Sequence, residues 1–195
     1  MARIITTKNK TRKDIITAKA ALLFRKKGFA GCSMRELAEQ MGVEASSLYN
    51  HIGSKNELLQ TICFSVANDF TEHLQQIIQQ KKPVSVRLEQ IIRFHIRIML
   101  DRFDEVYVAN HEWKQLQEPF LRNFLHQRKS YEAQLIDLIC LGVKEKSCLA
   151  IQPEVAVLTL LSAVRGLEYW HHKTTNTKTL ENDMVQQLLH GIIKK

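Results

Sequence analysis

Residues 44–59 read EASSLYNHIGSKNELL. Ser46, Ser47, Tyr49, Asn50 and His51 bring hydroxyls, a carboxamide and an imidazole onto one short segment. Such groups exchange hydrogen bonds with base edges and phosphate oxygens. Small residues at 45–47 also let a helix sink into a groove. Just beyond them, Ser54 and Lys55 open the next helix, where free backbone amides, a positive dipole end and an ammonium favour a phosphate. Leu48 and Ile52, four apart, belong on the opposite, buried side.

Other chemistries find little support. No Gly-x-Ser-x-Gly elbow, phosphate loop or HExxH is present, and the carboxylates are scattered. An enzyme is not expected. Cys32, Cys63, Cys140 and Cys148 form no CxxC pair and no zinc-finger spacing. They read as reduced structural thiols, with neither a metal site nor a cofactor. Adjacent His171 and His172 point about 100° apart on a helix and are unsuited to share a metal.

Charge is distributed unevenly. The 195 residues hold 28 Lys+Arg and 20 Asp+Glu. Residues 1–55 contain 11 of the former and 4 of the latter, an excess of seven, and the rest is almost balanced. A basic quarter joined to a neutral body suits a polyanion-binding module plus a separate body, although a solvated basic arm has the same composition. No apolar run approaches the roughly 18–20 residues that cross a bilayer. The start, MARIITTKNKTRKD, has no apolar signal core. The expected location is the cytoplasm, with no membrane partner.

The elements that position the polar cluster follow from apolar periodicity, which is helical throughout. An all-α chain of about nine helices is expected. The first runs over about 10–27 and ends at Gly28. Ser33 with Glu36 is a capping box that opens the second, closed by Gly42. The third runs from about 44 or 45 to just before Gly53. Ser54 with Glu57 is a second capping box, opening a long fourth helix that ends at Lys81-Lys82-Pro83. Later helices are expected at about 84–102, 104–117, 119–146, 153–173 and 178–193. The second and third, joined by a tight turn, form a helix-turn-helix whose second helix enters the major groove.

The stretch GFAGCSMRELAEQMGVEASSLYNHIGSKNELL resembles the DNA-binding domain of the TetR family of bacterial transcriptional regulators. The Gly-Phe after the first helix, Ser33, ELAEQMGV and LYNHIGSKNELL carry the likeness. Ile52 stands where the family usually has an aromatic, and Glu44 where many members carry a small or basic residue. The resemblance implies a helix-turn-helix domain over 1–55 and a helical ligand-binding and dimerisation domain over 56–195. It implies contacts to double-stranded DNA from Ser33, Arg35, Ser46, Ser47, Tyr49, Asn50 and His51, and a phosphate clamp at Lys55. Structural roles compete: Ser33 is also a cap, the Tyr49 ring can pack on the domain, and His51 sits where a helix dipole ends.

In the body, PEVAVLTLLSAVRGLEYW is apolar on nearly every face, and the last helix repeats Leu180, Met184, Leu188 and Ile192. A homodimer through the eighth and ninth helices would bury both. His95, Met99, Trp113, Phe120, Phe124, Arg128, Tyr131 and Trp170 are candidates to line a pocket for an apolar molecule with one polar end, or else are core and surface. EPFLRNFLHQRKSYEAQL is similar to acyl-CoA-responsive members, which implies Arg122 and Arg128 as partners of an anionic group. The function expected is a ligand-responsive repressor released from a palindromic operator by an apolar or amphipathic effector. The other reading is a helical ligand-binding or scaffolding protein whose basic end meets a protein.

Overall fold

The computed structural model describes residues 11–170 and 176–193. His171 and His172 lie outside the described residues. Among those described, the helices are α1 (Arg12–Lys27), α2 (Met34–Met41), α3 (Ala45–Tyr49), α4 (Lys55–Ile78), α5 (Val84–Asp101), α6 (Phe103–His111), α7 (Phe120–Lys144), α8 (Pro153–Arg165) and α9 (Thr177–His190). Short 3-10 turns cover Trp113–Gln115 and Gly166–Tyr169. The all-α expectation holds, with one isolated antiparallel bridge between Cys148 and Ile193 among the described residues. No described helix is long and apolar enough to cross a membrane.

Some boundaries differ from those the periodicity predicts. The sixth helix stops at His111 rather than near 117. A 3-10 turn follows, and Leu116 is already extended ahead of Pro119. The eighth stops at Arg165, where Gly166, a poor helix former, begins the second 3-10 turn. The third is only Ala45–Tyr49, followed by turn residues Asn50 and His51.

The chain forms two compact units. The first comprises residues up to Val66 together with Asp104–Arg122, and the second comprises Ala67–Phe103 with the residues from Asn123 on. In the first, Thr11 and Asp14 form a full capping box at α1, a start the apolar pattern does not reveal. Ile16, Ala20, Leu23 and Phe24 line its buried side, and Ile15 is exposed. Phe29 meets Phe24 edge-on at 5.2 Å. Leu37, Leu48, Ile52, Leu58 and Leu59 are each at most 1% exposed and join α2, α3 and the start of α4 into the same core. The later segment completes it. Asp104 pairs with Arg25, and Phe120 meets Phe64 edge-on at 6.2 Å.

In the second unit α5 is central, with Leu88, Ile91, Ile92 and Ile96 fully buried. It packs on α8 and α9. Arg93 reaches Glu181 at 2.9 Å and Arg97 reaches the same carboxylate at 2.8 Å. The end of α7 makes a close approach at Gly142. A Cβ there would lie 2.3 Å from the Cys148 sulfur, so a side chain has no room. Leu149 N–H donates to the Ile192 carbonyl at 2.7 Å and ties the chain after α7 to the end of α9. Residues 67–78 of α4 meet α7 through amides: Gln127 donates to Asn68 at 2.9 Å and Gln75 to Gln134 at 2.5 Å.

Candidate nucleic-acid interface

The turn between α2 and α3 is built on Gly42, whose φ of 65° and ψ of 34° are left-handed, a conformation glycine adopts without penalty. It directs the chain into α3 with Leu48 inward. Leu48 and Ile52 are each 1% exposed, as their spacing requires. The polar side chains therefore point outward. Ser46, Asn50 and His51 are exposed, Ser47 is half-buried, and Tyr49 is 52% exposed. None of these five side chains has a hydrogen-bond partner among the described residues. A surface tyrosine with an idle hydroxyl, beside idle hydroxyls and an amide, is poised for an external partner.

Ser33 and Ser54 both cap. Ser33 Oγ accepts from Glu36 N–H at 3.1 Å, and Ser54 Oγ accepts from Glu57 N–H at 3.1 Å. Neither capping box closes as its sequence suggests. The Glu36 carboxylate is held by Lys27, and that hydrogen bond keeps its carboxyl below the usual range. Glu57 reaches one residue further back, accepting from Gly53 N–H at 2.8 Å, and also meets Lys13 at 3.3 Å. Both carboxylates have tertiary partners that local spacing does not announce. Arg35 stands on the exposed side of α2 with Glu39 at 3.3 Å.

Lys55 has a role that sequence reasoning missed. Its ammonium donates to the carbonyls of Phe29 at 3.0 Å and Cys32 at 2.8 Å, and lies 4.4 Å from the Phe29 ring centroid. It ties the start of α4 to the loop between α1 and α2. An ammonium has three N–H donors, and these carbonyls use two. The Cys32 thiol donates to the Gly28 carbonyl at 3.1 Å inside the same loop, and burial raises its pKa.

The eight candidate pocket residues are divided. Trp113 and Phe120 belong to the first unit; His95, Met99, Phe124, Arg128, Tyr131 and Trp170 belong to the second. His95 and Tyr131 are brought together, with Nε2 and Oη 2.6 Å apart, and both are buried. Met99 and Phe124 are also buried, the Arg128 guanidinium lies 5.9 Å from the Phe124 ring, and Trp170 is 60% exposed. Arg122 is exposed, 3.7 Å from Glu118. Half-buried partners that the sequence reading did not place in the site extend this cluster. Phe70 stacks on His95 at 4.4 Å, and His73 stacks on Phe94 at 3.8 Å. The three-residue spacing of Phe70 and His73 was the available signal. Burial drives the imidazoles of His95 and His73 down to about 3 and about 4, so both are neutral at pH 7. Burial raises the Tyr131 phenol above its ordinary value.

Two short helices joined at a left-handed glycine, with the second presenting unpaired polar groups, define a helix-turn-helix regulator. Comparison with known proteins agrees. The family model "Bacterial regulatory proteins, tetR family" matches residues 16–62, and "Tetracyclin repressor-like, C-terminal domain" matches residues 81–192. The chain belongs to the TetR family of transcriptional regulators.

Among relatives, the HTH-type transcriptional repressor KstR2 of Mycolicibacterium smegmatis is 24% identical over 142 residues, covering 70% of this chain and 67% of that protein. Among solved structures, the ketosteroid transcriptional regulator KstR2 of Mycobacterium tuberculosis superposes with a TM-score of 0.87 at 16% identity, over 95% of this chain and 96% of that one. AibR in complex with isovaleryl coenzyme A and operator DNA gives 0.78 at 23% identity, over 92% and 98%. These structures share the fold.

Proposed function

We propose that the protein is a ligand-responsive repressor that binds a palindromic operator as a homodimer in the cytoplasm and leaves it when an amphipathic effector binds. The outward row of Ser46, Tyr49, Asn50 and His51, whose side chains have no hydrogen-bond partner among the described residues while Leu48 and Ile52 are buried, carries the reading. Residues 1–55 supply the DNA-binding part and 56–195 the effector-binding and dimerisation part. Ser33 and Arg35 approach the duplex from α2, and Arg35 exchanges Glu39 for a phosphate. The third N–H of Lys55 is directed to a second phosphate.

Dimerisation through α8 and α9 is supported by the apolar surface they leave uncovered. Val155 and Leu158 are 53% and 66% exposed. Beside them a groove of about 460 Å³ is lined by Ile151, Thr159, Leu160, Leu188 and Ile192, among others. A helix that is apolar nearly all round needs such a cover.

For the effector, the two structural neighbours are a ketosteroid regulator and a regulator in complex with isovaleryl coenzyme A. A steroid and an acyl thioester share an apolar body with a polar end. Within the second unit, the buried His95–Tyr131 pair offers a neutral polar point in the company of Met99 and Phe124, and Arg128 suits an anionic group. Coupling runs through α4, which is uninterrupted from Lys55 to Ile78 and contributes residues to both units. An effector displaces the operator only by favouring one arrangement; about 1.4 kcal/mol of preference changes affinity tenfold.

The test is fluorescence anisotropy on operator and random duplex across a salt series, followed by titration with acyl-CoA esters of increasing chain length. Steep salt dependence with selective, reversible loss of operator binding supports the proposal. An ester that binds the protein and leaves operator affinity unchanged refutes the coupling.

A further inference from the structure

We propose that Glu44 is a specificity-determining residue: its carboxylate accepts a hydrogen bond from the exocyclic amino group of a cytosine read by each α3. The assignment rests on the DNA-binding reading above and adds to it a base and the side chain that selects it.

The starts of the helices in the first unit carry the argument. α1, α2 and α4 each follow a hydroxyl residue whose side-chain oxygen accepts from a backbone N–H: Thr11 from Asp14 at 3.2 Å, Ser33 from Glu36 at 3.1 Å and Ser54 from Glu57 at 3.1 Å. α3 follows Glu44, whose backbone carbonyl accepts from Leu48 N–H at 3.2 Å but whose side chain makes no capping bond. Serine or aspartate there would hold the helix better. Stability of α3 therefore does not account for the glutamate.

Ion pairing does not account for it either. Residues 11–66 contain five carboxylates. Asp14 accepts from Thr11 N–H, Glu36 holds Lys27, Glu39 holds Arg35, and Glu57 holds Lys13. Glu44 is exposed and has no partner among the described residues, within a module rich in lysine and arginine. Against a polyanion an unpaired carboxylate is unfavourable unless the duplex offers it a donor.

The major groove offers two. Residues at the start of a recognition helix are those that meet base edges. Only the cytosine N4 and adenine N6 amino groups donate there; guanine N7 and O6 and thymine O4 accept, and would repel a carboxylate. Adenine carries the N7 acceptor beside its amino group, whereas cytosine does not. A lone carboxylate, which only accepts, is matched to cytosine. Ser46 and Ser47, next along α3, are small enough to leave Glu44 this approach.

The experiment is selection of binding sites from a random duplex library, followed by affinity measurement at fixed salt, with the unaltered protein, Glu44→Ser and Glu44→Gln. The unaltered protein is expected to enrich a site with cytosine at one position per α3. Replacing that cytosine should weaken binding about tenfold or more. Glu44→Ser should lose discrimination at that position alone, bind random duplex more tightly, and melt no lower than the unaltered protein. Glu44→Gln should shift the preference toward adenine. Retention of the same cytosine preference by Glu44→Ser overturns the assignment, as does a Glu44-dependent preference for another base. If the unaltered protein enriches no site at all, the DNA-binding reading falls with it, which separates the two failures.

Discussion

The ammonium of Lys55 lies 2.8 Å from the carbonyl oxygen of Cys32 and 3.0 Å from that of Phe29. One cation at the first position of α4 thus closes the loop that precedes α2. Lys55→Ala removes the donor and leaves two carbonyls to find water. We expect about 1–2 kcal/mol less stability in urea unfolding. Binding to all duplexes should weaken alike, with a salt slope shallower by about one. An unchanged slope with lowered stability would show that the tie to the loop is the whole role of Lys55.

Tyr49 and Asn50 have no side-chain hydrogen-bond partner among the described residues, so their loss should separate stability from recognition. Tyr49→Phe and Asn50→Ala should leave unfolding within about 0.5 kcal/mol of the unaltered protein, as for other surface changes. Operator affinity should fall by roughly 1–3 kcal/mol per specific contact removed. Calorimetry and anisotropy on the same preparations measure both.

His95 and His73 make stability depend on acid. Their folded pKa values, about 3 and about 4, lie below the ordinary value near 6.5. The unfolded chain therefore binds more protons below pH 6.5. Stability is full above that pH and falls as pH drops, by up to about 1.4 kcal/mol per unit for the buried His95, down to about pH 3, and by less for the half-buried and solvent-screened His73, down to about pH 4. His95→Phe should cost about 1–3 kcal/mol at pH 7, because Tyr131 Oη loses its partner. It should also flatten the decline between pH 6.5 and 5. Urea titrations at several pH values would show both effects.

Leu158 is 66% exposed on α8, so Leu158→Glu should leave the single chain folded. In a two-fold pairing through α8 and α9 it would bury an unpaired charge, costing roughly 3–5 kcal/mol. Sedimentation at micromolar concentration should find a dimer for the unaltered protein and a monomer for the variant. A monomer in both cases would sink the two-fold arrangement.

How far the sequence led can be judged residue by residue. Leu48, Ile52 and Gly42 were readable because helical spacing and a left-handed turn are local constraints. Ser33 and Ser54 were readable as caps for the same reason. The carboxylates of Glu36 and Glu57 were not, because Lys27 and Lys13 are brought to them by folding. The double carbonyl tie of Lys55 likewise depends on a loop more than twenty residues away. The apolar faces of α8 were visible as composition, but which face the chain itself covers is decided by α5. The three-residue spacing of Phe70 and His73 puts both on one face of α4, but that they stack on His95 and Phe94 of α5 is decided only by folding.

The first unit draws on two stretches of chain, with Arg25 of α1 held by Asp104 far downstream. The reading head is therefore not a transferable cassette. A chimera that grafts the N-terminal stretch onto another regulator's body imports Arg25 without its acid, and Phe64 without Phe120. Its success would hinge on whether the recipient happens to supply equivalents. In this architecture an exchange of recognition specificity by recombination is constrained by a segment that a linear map assigns to the other half of the protein.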